Sequence, residues 1–442
     1  MVLRPSRVAP AAFALGALAA LGALAGCKQS LFDEGGGGSD DPDVVGATCP
    51  AECLGDAARD FNAAAPKAGW RYVEDRRDRS WAAMAAAGKR AVGGEPANAI
   101  TPCSERASAA ACAELPGALL VSTAGGTTSA DPGFEFTVTT KRVVKVGLRA
   151  FVPASAPEQQ VRIYRNSRED SLFTGPATPG AVFEKALSAD VLPGDRLLVV
   201  FAPASGGATD IGVELFLSDV GTPSSCQLAL SFDEMGVGAS TPNACGTAFT
   251  SLMYQDTGPD TELPAVLGPG PFPELGKAAV IAPGKYYKGV DVLNKAGDVT
   301  LQFWMKVNAV DPIYIGYPYS DHNLDTGESG GVSVDIYNDS APTLESYSPT
   351  RVPPTGLPDY AGGAVSFPHV GKWAFVRIVH TAGKVNFCLN GKRAFDYPLA
   401  AGKLTSTYPP YLGKNVKWGS QGAFFDGNMD DVRFLSTALP CE

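Results

Sequence analysis

The chain has 442 residues, with 50 glycines, 35 prolines and a formal net charge of −10 at pH 7. This length allows two to three domains with sizeable cores, and the many glycines and prolines indicate short strands joined by turns. The acidic balance argues against nucleic-acid binding, which needs a clustered basic face.

The N-terminal segment has the layout of an export signal. Two arginines precede an apolar run over residues 11–25, which is too short to span a bilayer comfortably. The run ends in Leu24-Ala25-Gly26-Cys27, which resembles the lipobox of bacterial lipoproteins. The resemblance implies that residues 1–26 are removed and that Cys27 carries lipid, palmitate included, as a membrane anchor. The alternative is an ordinary secretory signal that happens to contain a cysteine.

Residues 27–48 have the composition of a disordered tether. A glycine run at 35–38 lies among acidic residues, and such a segment buries too little apolar surface to fold. Lys28 follows the anchor where enteric lipoproteins of the inner membrane have aspartate. The lipoprotein resemblance therefore implies anchoring in the outer membrane of a bacterial cell envelope, and it is compatible with exposure of the protein at the cell surface.

Eight cysteines remain once Cys27 is assigned to lipid, and this even number predicts disulfides in an oxidising compartment. They fall into two groups of four on either side of a cysteine-free stretch. A zinc site is disfavoured because all three histidines lie far downstream of the first group. The eight residues are Cys49, Cys53, Cys103, Cys112, Cys226, Cys245, Cys388 and Cys441.

Residues 49–220 are predicted to form a β-sandwich module. Short β-type segments occur at 134–138, 143–151, 161–164, 182–187, 196–201 and 211–217, and turn signals separate several of them. Residues 81–92 are compatible with a short helix on propensity alone.

Several short phrases of this body resemble a β-sandwich module of bacterial extracellular proteins. They are Phe61-Asn62, Gly69-Trp70-Arg71-Tyr72 and residues 131–136, 164–166 and 192–197. The resemblance implies carbohydrate binding, but that module has no invariant binding site whose residues can be located in this chain. Trp70, Tyr72 and Trp81 suit stacking on sugar rings, and the alternative is that they belong to the core, as large aromatic residues usually do.

Residues 224–442 contain the clearer pattern. Residues 298–307 alternate as a half-buried strand does, Gly371-Lys372-Trp373 leads into another strand, and Asn390-Gly391 is a strong hairpin signal. With the opening strand at 226–233 and the closing phrase at 424–439, they resemble the LamG-like, concanavalin A-like jelly roll. The resemblance implies that Trp304 and Trp373 pack between the sheets. The whole chain is therefore predicted to be all-β, with two β-sandwich or jelly-roll domains after the signal peptide and tether.

Catalytic residues are not evident in either body. Retaining glycosidases of this fold carry Glu-x-Asp-x-x-Glu or Glu-x-Asp-x-Glu on one strand, and neither spacing occurs here. The segment Ser333-Val334-Asp335-Ile336-Tyr337 has a single carboxylate. Asp430 and Asp431 are adjacent, so we expect their side chains to point to opposite faces of a strand. No sequence motif of a catalytic nucleophile lies beside His322, His369 or His380. The sequence predicts that the protein is not an enzyme.

The jelly-roll resemblance implies one structural calcium ion. Many LamG-like domains hold it where the first strand, the following loop and the last strand meet, and the matching positions are Asp233, Asn243 and Asp430. Calcium takes six or more oxygen ligands, and this loop has few acids and contains Cys245. A disulfide in place of the metal is therefore the alternative.

The same resemblance bears on disulfide pairing. The first and last strands of this fold are antiparallel neighbours, which implies Cys226–Cys441 and leaves Cys245–Cys388. Four cysteines nevertheless allow three connectivities, so the others stay open. The remaining residues, Cys49, Cys53, Cys103 and Cys112, are expected to pair among themselves.

These features favour a lipid-anchored, non-catalytic cell-envelope protein that binds carbohydrate or another extracellular ligand. Loop aromatics and acids are the candidate contacts, since aromatic faces stack on sugars and carboxylates accept hydrogen bonds from hydroxyls. The alternative is a structural or adhesive envelope protein with protein partners, and a glycoside hydrolase comes third. The candidate contacts are Tyr314, Tyr317, Tyr319, Asp321, Asp325, Tyr337, Tyr408, Tyr411 and Trp418.

Overall fold

The computed structural model describes residues 53–78, 80–95, 97–125, 130–140, 142–204, 207–220, 225–233, 238–255, 259–310, 316–321, 331–338, 342–351, 359–398, 407–415 and 424–441. The signal peptide, Cys27 and the tether lie outside these residues. So do Cys49, Tyr314, His322, Asp325 and Trp418. No helix within the described ranges is long and apolar enough to cross a membrane.

The described chain is all-β, as the sequence predicts, and its first body forms two antiparallel sheets. A 3₁₀ turn at Cys103–Glu105 and the helix α1 (Ala110–Glu114) lie between two of its strands. The strands are β1 (Cys53–Asp56), β2 (Trp70–Asp75), β3 (Trp81–Ala83), β4 (Ala85–Ala87), β5 (Arg90–Val92), β6 (Ala99–Pro102), β7 (Leu119–Thr123), β8 (Asp131–Thr137), β9 (Arg142–Phe151), β10 (Gln159–Arg165), β11 (Ser167–Ala177), β12 (Val182–Val191), β13 (Arg196–Pro203) and β14 (Thr209–Asp219).

Alternating apolar residues hold these two sheets face to face. Sheet 1 has the order β12-β9-β14-β7-β6-β5-β4, with β1 beside β14, and sheet 2 has the order β11-β10-β13-β8-β2-β3. Val146 and Leu148 of β9 and Val199 of β13 belong to the shared core. Trp70 and Tyr72 belong to it too, with only 4% and 3% of their surface exposed. The core alternative for these two aromatic residues is therefore confirmed.

The segment 81–92 forms strands rather than the short helix that its alanines allow. β3 pairs with β2, and β4 pairs with β5, so backbone hydrogen bonding within the sheets overrides the helix propensity of alanine. Trp81 is half-buried and contacts Tyr164, with ring centroids 6.1 Å apart.

The second body also consists of two antiparallel sheets. A 3₁₀ turn at Pro273–Leu275 precedes β20. The strands are β15 (Cys226–Leu230), β16 (Ser240–Thr241), β17 (Phe249–Met253), β18 (Thr261–Glu262), β19 (Leu267–Pro269), β20 (Lys277–Ile281), β21 (Lys285–Lys288), β22 (Val299–Val307), β23 (Gly316–Ser320), β24 (Ser333–Asn338), β25 (Pro342–Arg351), β26 (Asp359–Ser366), β27 (Trp373–Thr381), β28 (Lys384–Leu389), β29 (Lys392–Pro398), β30 (Tyr411–Leu412) and β31 (Gly427–Leu435).

Strand alternation decides which aromatic residues enter the second core. Sheet 3 has the order β19-β20-β31-β22-β27-β28-β29, with β15 beside β31, and sheet 4 has the order β16-β17-β21-β30-β23-β24-β25-β26, with β18 beside β17. Phe303 and Met305 of β22 lie in the core between them. Trp304 therefore lies on the outer face of sheet 3, where Phe272 and Phe375 pack against it. Trp373 precedes the core residue Ala374 and also faces outward, so the expectation for both tryptophans was wrong.

The disulfides of the second body differ from the expected pairing. Cys226 is bonded to Cys245 and Cys388 to Cys441. The loop after β15 folds back on that strand, because Ala229 donates its N–H to the side-chain oxygen of Asn243, and this brings Cys245 to Cys226. After β31, the chain crosses the outer face of sheet 3, where Thr300 donates its hydroxyl to the carbonyl of Thr437, and so reaches Cys388.

In the first body, Cys103 is bonded to Cys112, as expected for pairing within the first group of cysteines. Cys53 is also disulfide-bonded. The first-group prediction is thus confirmed as far as the described residues reach.

The two bodies meet through buried ion pairs on the outer face of sheet 3. Arg433 of β31 donates from both terminal nitrogens to Asp195 of the first body, at 2.7 and 2.8 Å. Arg377 of β27 pairs with Asp170 of β11, which also accepts from Arg165 at 2.8 Å. None of these side chains is more than 6% exposed. Because water screens them little, these contacts fix the second body against the first.

Two sequence phrases of the first body build its half of this interface. Asn166 turns the chain between β10 and β11 at φ 63°, a conformation that asparagine tolerates. Its side-chain nitrogen donates to Asp195 at 2.8 Å, and its oxygen accepts the N–H of Arg196 at 2.9 Å. The N–H of Leu192 donates to Asp195 as well. The phrases at 164–166 and 192–197 therefore hold the carboxylate that Arg433 binds.

Candidate functional site

The outer face of sheet 4 carries a group of aromatic side chains. Tyr287 and Leu412 point into the core, so their neighbours Tyr286 and Tyr411 point outward. These two outward rings stack with their centroids 5.8 Å apart, and Phe424 belongs to the same cluster. Tyr254 is half-buried at its rim.

A lysine and a carboxylate are set among these rings. Lys414, only 6% exposed, places Nζ 4.7 Å from the ring centroid of Tyr254 and 4.6 Å from that of Tyr286. Asp260 lies 3.9 Å from Lys414 and accepts the hydroxyl of Tyr286. We name Tyr254, Asp260, Tyr286, Tyr411, Lys414 and Phe424 the outer-face cluster.

Burial governs the ionisation of this cluster. It lowers the pKa of Lys414, and the negative charge of Asp260 opposes that change. It raises the pKa of Tyr286, and the hydrogen bond to Asp260 raises it further. The tyrosine hydroxyl therefore stays protonated at neutral pH. The cluster combines one cation, one carboxylate and the half-buried ring of Tyr254, whereas Tyr286, Tyr411 and Phe424 are buried, with at most 9% of their surface exposed. A cation, a carboxylate and an accessible ring are the chemistry that recognises hydroxylated ligands.

Of the predicted ligand contacts, Tyr411 belongs to this cluster, and Tyr408 is half-buried shortly before it in the chain. Tyr337 lies on β24. Tyr317, Tyr319 and Asp321 are instead buried, with at most 1% of their surface exposed, so they are not surface contacts. The segment expected to be a loop is the inner strand β23, which lies between β30 and β24.

The predicted ligand contacts do not include Tyr254, Asp260, Tyr286 or Lys414. The doubled aromatic Tyr286-Tyr287 carries a usable signal, because in a strand one ring of such a pair must face away from the core. Nothing in the spacing of Asp260 and Lys414 indicates that they meet, since 154 residues separate them and only the pairing of β21 with β30 brings their neighbourhoods together.

Asp335 also lies on the outer face of sheet 4. It is 5% exposed and accepts the hydroxyl of Ser333. The pairing of β24 with β25 sets Glu345 opposite Asp335, a relation that spacing along one strand does not reveal. His380 lies on β27 with 2% of its surface exposed, and burial lowers its pKa to about 3.

The structure brings Asp233 and Asp430 together beneath the loop over residues 270–276. Asp430 on β31 is 1% exposed, one of its oxygens accepts the N–H of Asp431, and Oδ2 has no hydrogen-bond partner among the described residues. Burial raises the pKa of Asp430 well above its ordinary value, and the charges of Asp431 and Asp233 raise it further. Such a carboxylate is poorly stabilised without a proton or a cation.

Oxygen atoms converge beside this carboxylate. A Cβ on Gly270 would lie 2.9 Å from Oδ2 of Asp430, 3.0 Å from the carbonyl oxygen of Gly276 and 3.2 Å from that of Leu275. Gly276 has φ 66°, and a Cβ there would lie 1.9 Å from Oδ1 of Asp233. Glycines at 270 and 276 thus keep open the space that these oxygens share.

Hard oxygen ligands of this kind fit calcium. Carboxylates of Asp233 and Asp430 with the carbonyls of Leu275 and Gly276 form a mixed set of the type that Ca²⁺ takes. Within the described residues, no cluster of three or more histidine, cysteine, aspartate or glutamate side chains could hold a metal, so carbonyls would have to contribute. Asn243 is not part of the set. Its oxygen accepts the N–H groups of Ala229 and Cys245, which holds its own loop.

Residues 284–442 match the family described as the Concanavalin A-like lectin/glucanases superfamily (Laminin_G_3). These residues form a concanavalin A-like domain, and the earlier strands β15 to β20 complete its two sheets. No curated protein matches the chain.

Solved structures give distant matches. Domain 4 of AbnA, an extracellular GH43 arabinanase from Geobacillus stearothermophilus in complex with arabinotriose, is 19% identical, with a TM-score of 0.36 over 49% of this chain and 94% of that chain. The CBM40 of the Ruminococcus gnavus IT-sialidase is 11% identical, with a TM-score of 0.27 over 33% and 79% of the two chains. A heptameric SAP-like pentraxin from Limulus polyphemus is 14% identical, with a TM-score of 0.26 over 43% and 77%.

Proposed function

We propose that the protein is a non-catalytic carbohydrate-binding protein, held at the bacterial outer membrane by lipid on Cys27. The observation that carries the binding proposal is the outer-face cluster on a concanavalin A-like domain. The half-buried ring of Tyr254 supplies a surface for a sugar ring, while Lys414, which is 6% exposed, and the half-buried Asp260 supply a donor and an acceptor for hydroxyl groups. The acidic tether at 27–48 sets the folded part away from the membrane.

A glycan array probed with the full chain tests this proposal. We expect a defined glycan to bind, and we expect Tyr254→Ala to weaken that binding about tenfold, a change of about 1.4 kcal/mol. Tyr254 is the suitable position because it lies half-exposed at the rim of the cluster and is not part of the sandwich core. Affinity measured by isothermal titration with the glycan identified on the array gives the comparison.

Trp81→Ala is the matched control, since it removes a half-buried aromatic residue from the first body. Equal loss in both variants would move the binding site away from the outer-face cluster. A silent array would favour the structural or adhesive role with protein partners. Turnover of a β-glucan that Asp335→Asn abolishes would favour a hydrolase, because Glu345 lies opposite Asp335 in the sheet.

We also propose one structural calcium ion beneath the loop over residues 270–276. Asp430, Asp233 and the carbonyls of Leu275 and Gly276 would hold it, with water completing the ligand set. The ion would neutralise a buried carboxylate that otherwise lacks a partner on Oδ2. Calcium here supplies structure and takes no part in chemistry.

Calcium is expected to raise the melting temperature of the full chain relative to EDTA. A ligand that binds only the folded state stabilises it by about 2.7 kcal/mol at a hundred times its Kd. Asp430→Asn should abolish the rise, whereas Asp396→Asn, which changes an exposed carboxylate, should preserve it. Identical melting of the wild type in calcium and EDTA would count against the site.

A further inference from the structure

A lysine and an aspartate lie in contact inside the second body, away from the outer-face cluster. Lys295 precedes β22 of sheet 3, and Asp321 directly follows β23 of sheet 4. Nζ of Lys295 is 2.6 Å from Oδ2 of Asp321, and both side chains have 0% of their surface exposed. The pair therefore joins the two sheets of the sandwich in a place that water does not reach.

The carboxyl group of Asp321 is held in one orientation. The hydroxyl of Tyr319 donates to Oδ2 at 2.8 Å. The N–H of Val332 donates to Oδ1 at 2.6 Å. Donors to both oxygens fix the group in place and withdraw electron density from its carbon atom, as they do in sites that stabilise oxyanions.

Lys295 is placed differently from the lysine of an ordinary ion pair. Its Nζ makes no hydrogen bond of acceptable angle to any described residue, although it touches Oδ2 of Asp321. A buried ammonium with poor hydrogen bonding is costly, and an amide formed between the amine of Lys295 and the carboxyl of Asp321 carries no charge. These two groups are the reactants of amide formation.

We propose that Lys295 and Asp321 condense to an intramolecular isopeptide bond. One proton passes from Nζ of Lys295 to the carboxyl group of Asp321, the nitrogen lone pair attacks Cγ of Asp321, and a C–N bond forms. One C–O bond of the carboxylic acid then breaks, and its oxygen leaves as water with the acid proton and one amine proton. The products are one amide and one water molecule, so no oxidant, reductant or other co-reactant is needed.

Two neighbouring groups stay uncharged beside the pair. Tyr319 stays protonated because burial and the charge of Asp321 raise its pKa well above the ordinary value. Burial lowers the pKa of His380 to about 3, and the charge of Lys295 contributes to that change. His380 is therefore a neutral ring at neutral pH, and it adds no second positive charge beside Lys295. The contact of 2.6 Å between Nζ and Oδ2 places the amine beside the carboxyl group that it attacks.

The exposed pair Lys384–Asp396 provides the contrast. Its nitrogen and oxygen are 2.8 Å apart, close to the separation in the buried pair, but the side chains are 44% and 41% exposed. Water stabilises both charges there, so condensation to an uncharged amide is not favoured. Burial, and not distance alone, distinguishes the reactive pair.

The test is the intact mass of the full chain after reduction of its disulfides, compared between the wild type and Lys295→Gln. The difference between the two masses is independent of N-terminal processing. After correction for the mass difference between lysine and glutamine, we expect the wild type to be lighter than Lys295→Gln by one water molecule. We expect the corresponding result when the wild type is compared with Asp321→Ala. Lys384→Gln is the control, and we expect it to lack one water molecule, as the wild type does.

Fragmentation spectra of the wild type supply a second measurement that needs no variant to fold. They should contain a branched peptide in which Lys295 carries the segment around Asp321. A wild-type mass that differs from Lys295→Gln only by the substitution, or spectra with an unmodified Lys295, would overturn the proposal.

Discussion

Asp170→Asn is expected to lower the free energy of unfolding by about 3–5 kcal/mol, the usual loss when one partner of a buried ion pair is removed. Asp170 pairs with both Arg165 and Arg377, so the variant leaves two guanidinium groups with reduced compensation in a water-poor interface. Burial alone would raise the pKa of Asp170, but the charges of Arg165 and Arg377 hold it below its ordinary value. Urea unfolding of the full chain at neutral pH measures the change.

Asp396→Asn is the matched control for this prediction. Asp396 also faces two cations, Lys384 at 2.8 Å and Arg393 at 3.7 Å, but it is exposed to water. We expect only a small change, because solvent screens surface ion pairs. Equal effects of the two substitutions would mean that the interface between the bodies contributes little to stability.

The second large effect is an acid-induced loss of stability caused by His380. Histidine in an unfolded chain has a pKa near 6.5, and burial lowers the pKa of His380 to about 3. Between these values the unfolded chain binds one proton more than the folded chain, so the free energy of unfolding falls as the pH falls. The contribution is complete above pH 6.5 and amounts to about 3 kcal/mol lost by pH 4. If the proposed isopeptide bond removes the charge of Lys295, burial remains as the main cause.

Unfolding in urea at several pH values checks this effect. His380→Gln should flatten the dependence between pH 4 and 6.5, whereas His369→Gln, at a half-exposed position, should leave it unchanged. Proton NMR of the wild type provides a direct measurement, in which His380 stays neutral at pH 4. Titration of His380 near pH 6.5 would contradict the prediction.

Local patterns determined much of the fold. Alternation over residues 298–307 predicted β22 at Val299–Val307, and Asn390-Gly391 predicted the hairpin between β28 and β29. Each of these features depends on residues close together in the chain, and period-two alternation or a positive φ leaves a direct trace in the residue types. Such local patterns predicted all-β structure, and the resemblance to the LamG-like jelly roll implied the concanavalin A-like domain.

Residue spacing did not determine which face of a strand a side chain takes, or which strands become neighbours. Trp304 and Trp373 fit a core by composition, yet alternation from Phe303 and Ala374 turned them outward. Tyr319 and Asp321 had the composition of a ligand-binding loop and became interior residues, because β23 is an inner strand of sheet 4.

Only the tertiary structure decided the long-range contacts. The pairing of Cys388 with Cys441 required the final segment to cross the outer face of sheet 3, and the contact of Lys295 with Asp321 required two sheets to pack. The sequence by itself determined the β-rich fold class, and the family resemblances implied a lipoprotein signal and Asp233 and Asp430 as candidate calcium ligands. The outer-face cluster and the ion pairs between the bodies arose from sheet order and domain packing, which bring together residues far apart in the chain and leave no local pattern.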